Sequence, residues 1–274
     1  MDGANPIPLL IDCDTGIDDA LALLYAAASP EAEIVGVSCV AGNVELADVV
    51  RNTLAVLELA GRADVEVAAG AARPIARSLR TAADTHGPTG LGYAELPLPT
   101  TRPSGRDAPT LIVESARARP GELTLVTLGP LTNVAIALEQ EPELPRLLRR
   151  LLMMVGSYRS PGNTAPTMEW NAGVDPEALA ATLAGWRAAA AGSHGAARPV
   201  VFGLDVTERA RMTPSHLERL AVAAGGAAHP VVRFVSDALR FYFEFHDRYD
   251  GFYGAFIHDA MVIAAALDPA LART

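Results

Sequence analysis

The chain has 274 residues, half of them hydrophobic and a fifth charged, with a formal net charge of −10. That length suits one large α/β domain, expected to span residues 1–274, and the acidic balance makes nucleic acid and anionic membranes poor partners. No apolar run reaches membrane-spanning length, the start MDGANP does not read as a signal peptide, and Cys13 and Cys39 read as reduced core thiols, so a cytoplasmic protein is expected.

Leu9, Leu10 and Ile11 form a short apolar run that reads as a buried strand. Asp12, Asp14, Asp18 and Asp19 follow, with Gly16 in the turn, and an Ala- and Leu-rich helix begins behind them. Open α/β sheets place ligand sites where a strand ends and a helix begins. A helix N-terminus welcomes one or two acids. Four within eight residues repel one another unless a positive charge sits among them, and a hard divalent cation is the simplest such charge. Two other readings compete. The acids could cap the helix and face water, or Asp12-Cys13-Asp14 could open a phosphatase-type loop, although Gly16 then stands where a hydroxyl is wanted.

Further along, residues 33–40 read as a strand, 46–59 as a helix and 65–69 as a short strand. Residues 70–108, rich in Pro, Gly, Arg and Thr, read as a long loop, and a loop of that length inside a compact domain is usually functional. A helix at 109–118 precedes a strand at 123–128, which Gly129-Pro130 ends before a helix at 131–139. A strand at 151–155 leads into a polar loop reaching Asn171. A helix at 176–184, a small insertion at 188–197 and a strand at 199–204 follow. A long helix at 230–249 carries Phe234, Phe241, Tyr242, Phe243 and Phe245, and a last helix spans 258–267. The alternation predicts an open, mostly parallel sheet flanked by helices, a Rossmann-like core.

Several polar segments fall at strand ends or helix starts: Ala41-Gly42-Asn43, the turn Gly129–Asn133 (GPLTN), the loop from Asn163 through Glu169 to Asn171, and His258-Asp259. With Asp12, Asp14, Gly16, Asp18, Asp19 and Ala20 they form an ordered series in which the sequence resembles the inosine–uridine-preferring nucleoside hydrolase family. The series runs from residue 12 to 259, nearly the whole chain.

The resemblance implies a Ca²⁺ site with Asp14, Asp19, the backbone carbonyl of Leu128 and Asp259 as protein ligands, all oxygens as Ca²⁺ requires. It implies hydrolysis of the N-glycosidic bond of ribonucleosides, with Asp14 as the base for the attacking water and an oxocarbenium-like sugar. Asp18, Asn43, Asn163, Glu169 and Asn171 would bind ribose, and Val155 would line its pocket. His258, with His86, would supply a proton to the departing base or polarise it. A homodimer or homotetramer is implied, acting on a small nucleoside. The sequence departs from the family in places. Thr15 stands where Pro is common, Val155 (beside Met154) where Met is common, and Thr89 replaces an Asp in the loop following His86. Strand material usually follows the equivalent of Thr274, so a shortened sheet edge is expected.

His258, and the presence of only Trp170 and Trp186, favour a purine/pyrimidine-tolerant or pyrimidine-preferring enzyme over one that sandwiches a purine between tryptophans. The alternatives are a hydrolase of another N-riboside and a non-catalytic ribose- or Ca²⁺-binding protein of the same fold. The intact Asp14, Asp18, Asp19, Asn171 and Asp259 argue against the last.

Overall fold

The apolar run near the N-terminus becomes β1 (Ile7–Cys13), and its side chains alternate between two cores. Leu9, Ile11 and Cys13 enter one hydrophobic cluster while Leu10 enters the other. This computed structural model describes residues 5–191 and 196–271. After β1 come α1 (Ile17–Ala28), β2 (Ala32–Cys39), α2 (Leu46–Leu59), β3 (Val67–Ala69), α3 (Ala83–His86), α4 (Ala108–Ala118), β4 (Thr124–Thr127), α5 (Thr132–Gln140), α6 (Leu144–Leu147) and β5 (Arg150–Met154). The second half contains α7 (Trp170–Val174), α8 (Pro176–Ala190), β6 (Val200–Phe202), α9 (Leu204–Thr207), β7 (Arg211–Met212), α10 (Pro214–Ala223), α11 (Pro230–Asp250), β8 (Ala255–Phe256) and α12 (Asp259–Leu267).

Strands β1 to β6 make one parallel sheet in the order β3-β2-β1-β4-β5-β6, as the alternation predicts. The order reverses between β1 and β4, and the crevice beyond their carboxyl ends is the topological switch point of such a sheet. One face packs against α1, α2, α11 and α12 through residues such as Leu23, Val56, Phe243 and Ile263. The other packs against α4, α5 and α8 through Ile112, Val134, Ala178 and Trp186.

Helix caps explain several boundaries. Asp175 precedes Pro176 at the start of α8 and accepts from Ala178 N at 3.0 Å. Its other oxygen takes Ile75 N at 2.9 Å and Thr132 Oγ1 at 2.7 Å, tying the long loop to α5 and α8. The structure extends α8 to Ala190, beyond the predicted end at 184, so the first residues of the predicted insertion at 188–197 are helical and residues 192–195 lie outside the described ones. Ala is the best helix former, and the run of Ala here carries the helix on. Asn171 is in α7 rather than in a loop. The strand expected at 199–204 is β6 (Val200–Phe202), with Leu204 already in α9; β7 and α10 fall in the stretch 205–229, unassigned from sequence, and β7 pairs antiparallel with β8. That small ribbon anchors the turn leading from α11 to His258. Thr274 lies outside the described residues. Among the described residues no helix is long and apolar enough to cross a membrane.

Candidate active site

The ends of β1, β2, β4 and β5 and the starts of α1, α7 and α12 surround a cavity of about 710 Å³. Asp18, Asn43, His86, Leu128, Asn163, Glu169, Asn171, His258 and Asp259 all line it. Asp14 and Asp19 lie fully buried beneath. Val155 does not reach the cavity. Along β5, Leu152 and Met154 face the cluster on the cavity side, and Leu151, Met153 and Val155 face the other. The two-residue period of the strand therefore puts Met154 on the cavity wall and turns Val155 away.

One carboxylate oxygen each from Asp18, Asp19 and Asp259 lies within 4.8 Å of the others. Asp18 and Asp19 stand in the first turn of α1 and Asp259 in the first turn of α12, so two helix N-termini point their partial positive charge at this group. That does not offset the repulsion. Burial first, and then Asp19, push the Asp18 carboxyl up to about 8. Burial and the neighbouring Asp18 hold Asp259 well above the carboxylate range, and burial and Asp19 do the same to Asp14. Asp14 Oδ2 accepts from Asn43 N at 2.7 Å, whereas its Oδ1 is buried with no partner. Asp19 is spoken for more fully: it accepts from Gly16 N at 2.9 Å, Asp14 N at 3.2 Å and Asn43 Nδ2 at 3.1 Å.

Converging buried carboxylates and an orphaned carboxylate oxygen fit a divalent cation. Oxygen donors without thiolate or imidazole suit a hard ion. The Leu128 carbonyl accepts from Asn171 Nδ2 at 2.7 Å and keeps a second lone pair. Asn171 Nδ2 also donates to Met154 O at 3.0 Å, so the amide oxygen is what Asn171 offers a ligand. Glu169 is both wall and cap. It accepts from Gly156 N, Asn171 N and Ala172 N, which fixes the start of α7.

Two histidines face the acids. His86 Nδ1 accepts from Ile17 N at 3.1 Å, which leaves the ring proton on Nε2. His258 Nδ1 lies 2.8 Å from Thr207 Oγ1. Burial lowers both to about 3, so both rings are neutral at neutral pH.

Sequence reading named Asp12 and the Gly129–Asn133 turn but not how they meet in the layer beneath. Asp12 accepts from Ser38 Oγ at 2.5 Å and Asn133 Nδ2 at 2.8 Å, and its carboxyl is pushed up to about 7, chiefly by burial. Asn133 also donates to Cys39 O and accepts from Ala71 N, so one side chain locks β1, β2 and the long loop together. The GPLTN turn carried this signal, though not its partners. The far wall holds Tyr242, Phe245, His246, Tyr249 and Phe256 from α11 and β8. Trp186 is buried in the core, whereas Trp170 lines the cavity beneath Arg80, its ring centroid 5.3 Å from the guanidinium carbon, so one tryptophan and not a pair faces the cavity among the described residues.

Comparison with known proteins gives one consistent picture. The family described as inosine-uridine preferring nucleoside hydrolase matches residues 9–274. The chain is 39% identical over 270 residues to the pyrimidine-specific ribonucleoside hydrolase RihA of Enterobacter sp. (strain 638), covering 98% of this chain and 81% of that protein. It is 35% identical over 264 residues to uridine nucleosidase 1 of Arabidopsis thaliana, covering 96% and 74%. The solved purine-preferring ribonucleoside hydrolase from Gardnerella vaginalis superposes with a TM-score of 0.88 at 30% identity, covering 97% and 82%.

Proposed function

We propose, from the premise that this chain belongs to the inosine-uridine preferring nucleoside hydrolase family, how its own residues carry out the hydrolysis of ribonucleosides to free base and ribose. The observation that carries the reading is the set of buried carboxylates, Asp18, Asp19 and Asp259, converging at the floor of a nucleoside-sized cavity.

Asp19 and Asp259, which converge with Asp18, would hold a Ca²⁺ ion together with Asp14 and the Leu128 carbonyl, which lie outside that group of three. Such an ion, when bound, supplies Lewis acidity and orients oxygens. The residues supply the rest. Asp14 Oδ1, the unpartnered oxygen, accepts the proton of the water that attacks C1′ of the sugar. Asn43 fixes the other oxygen of Asp14, so the base cannot turn away. Asp18, Asn43, Asn163, Glu169 and Asn171 bind ribose, and the acids around it stabilise positive charge as the glycosidic bond opens. His86 and His258 polarise the departing base as neutral imidazoles. With Trp170 alone at the cavity, no pair of tryptophans is there to sandwich a purine, which supports a pyrimidine-preferring or purine/pyrimidine-tolerant enzyme. A single domain, assembly as a homodimer or homotetramer, and a cytoplasmic location belong to the same proposal.

Ribose release from uridine, cytidine and inosine, with and without chelator, tests this directly. Release should be cation-dependent and fastest on a pyrimidine. Silence on all three, or release indifferent to chelation, would overturn the reading. The backbone near Asp14 offers a second test. A Cβ on Gly129 would sit 2.7 Å from Asp14 Oδ1. Gly129→Ala should therefore displace the base and slow turnover by about 100-fold, because misplacement on the scale of an ångström costs that much. Steady-state kinetics at saturating cation would show it, and a variant within threefold of the native rate would contradict the proposed role of Oδ1.

A further inference from the structure

Of the candidate ribose contacts Asp18, Asn43, Asn163, Glu169 and Asn171, only Asn163 is exposed. It stands on the loop between β5 and α7, yet it lines the cavity. The far side of that loop supports itself: Gly162 N donates to Pro166 O and Thr164 N to Met168 O, both at 3.1 Å. The near side, the approach from β5, closes on a side chain of another element. Asp205, in α9, accepts from Tyr158 N at 2.8 Å, Arg159 N at 2.7 Å and Ser160 N at 2.9 Å. Three successive amides thus converge on one carboxylate.

Asp205 stands on a fixed base. Gly203, just before α9, approaches the start of the loop so closely that a Cβ there would sit 2.9 Å from Gly156 O. Leu204 N donates to that same carbonyl at 2.9 Å. Leu204 is fully buried, and at the other end of α9 Thr207 Oγ1 lies 2.8 Å from His258 Nδ1. The clamp is therefore tied both to the core and to the wall that carries His258. Hydrogen bonds to an ionised carboxylate are among the stronger ones. The amides, that of Tyr158 first, hold the Asp205 carboxyl below its ordinary value, so it is ionised wherever the protein is assayed near neutral pH. Without it the three N–H groups would turn to water, and a solvated loop released at that point regains its conformational freedom.

We propose that Asp205 is a positioning residue for the hydrolysis: by clamping residues 158–160 it holds Asn163 at the cavity, and its loss is felt in turnover through Asn163. This rests on the hydrolase reading above and adds a residue outside the cavity lining that sets one of its ribose contacts. The clamp also shields one peptide bond in particular. The N–H of the Arg159–Ser160 bond is itself one of the three that Asp205 accepts, so that bond cannot be drawn into a protease without releasing the clamp.

Two measurements test this. The first is a double-mutant cycle in kcat/KM, on whichever of uridine and inosine the native protein cleaves faster. Asp205→Ala and Asn163→Ala should each lower kcat/KM by about 10- to 100-fold. The double variant should fall no more than about twofold below Asn163→Ala alone, because two residues acting through one contact are not additive. Asp205→Asn keeps an oxygen for Arg159 N and Ser160 N but loses Tyr158 N, and should lie between native and Asp205→Ala. The second is limited digestion with trypsin. Asp205→Ala should be cut at Arg159–Ser160 about tenfold faster than the native protein, with cleavage at other arginines unchanged, the mark of a local opening. Losses that multiply in the double variant, or either single variant within about threefold of native, would overturn the inference while leaving the hydrolase intact. So would an Arg159–Ser160 bond cut no faster, or cleavage rising alike at every arginine, which would make Asp205 a support of the whole fold. If the native protein cleaves neither riboside, the hydrolase reading falls and this inference with it.

Discussion

Asp14→Asn is expected to lower kcat by about 10²- to 10⁴-fold, the range for loss of a positioned general base, while raising the melting temperature of the cation-free protein. The two effects have one cause. Asp14 Oδ1 is a buried carboxylate oxygen without a partner, and burial and Asp19 both disfavour its charge. Asn keeps the shape and can still accept from Asn43 N through its amide oxygen. It removes a negative charge from a group of carboxylates that repel. Relief worth about 1 kcal/mol would shift the melting temperature by roughly 2–4 °C in a chain of this size. Kinetics and thermal unfolding in chelator should be run side by side. A loss of less than tenfold would remove Asp14 from the role of base. A lower melting temperature would show that Oδ1 has a stabilising partner, against the picture of an orphaned oxygen.

Removing the cation should abolish ribose release, and restoring Ca²⁺ should raise the melting temperature more at pH 8 than at pH 5. The sign follows from the carboxyls. Asp14, Asp18 and Asp259 are raised in the folded protein, Asp18 to about 8, from an ordinary carboxyl value of 3.8. A raised carboxyl stabilises the fold fully below its unfolded value, and that contribution is lost as pH rises through the folded one. The cation-free protein thus weakens between about pH 4 and pH 8 on account of these groups. Bound cation compensates the charge that appears, and protons compete with it least at the upper end. His86 and His258, lowered to about 3, act in the opposite sense, losing stability as pH falls below 6.5. They do so with and without cation and drop out of the difference. At a free concentration a hundred times its dissociation constant, a ligand of the folded state alone adds about 2.7 kcal/mol. Melting curves with calcium or chelator at the two pH values decide it, and a gain that is equal or larger at pH 5 would mean that the carboxyls are not what the ion neutralises.

Much of this was legible in the sequence because it is local. The apolar run at Leu9–Ile11, the acids after it and the Gly-Pro at 129–130 each specify a strand end or a helix start within a few residues, and the parallel sheet follows from their alternation. The candidate site residues at such boundaries, from Asp18 to Asp259, come to the cavity for the same reason. Val155 was misplaced because one step along a strand reverses the face, and sequence fixes that parity only when the strand's register is known. The setting of His246 was harder. His246 stands among the aromatics of the long helix, but the ring box that holds it depends on Phe252 and Phe256 coming back from the turn after that helix and from β8. Similarly, nothing local says that Asn133 reaches Asp12, Cys39 and Ala71 at once.

The order of the sheet has a consequence for how the protein is made. β1 is the first strand to emerge and lies at the centre, paired with β2 on one side and with the distant β4 on the other. The acids that follow it are completed only by Asp259, in the helix formed after all six strands of the sheet. During synthesis Asp14, Asp18 and Asp19 therefore exist for most of the time without their last partner. A cation held as proposed could not template early folding of this chain. It would reward only a chain in which β1 and α12 have already met, so its capture would come last and check that the fold has closed.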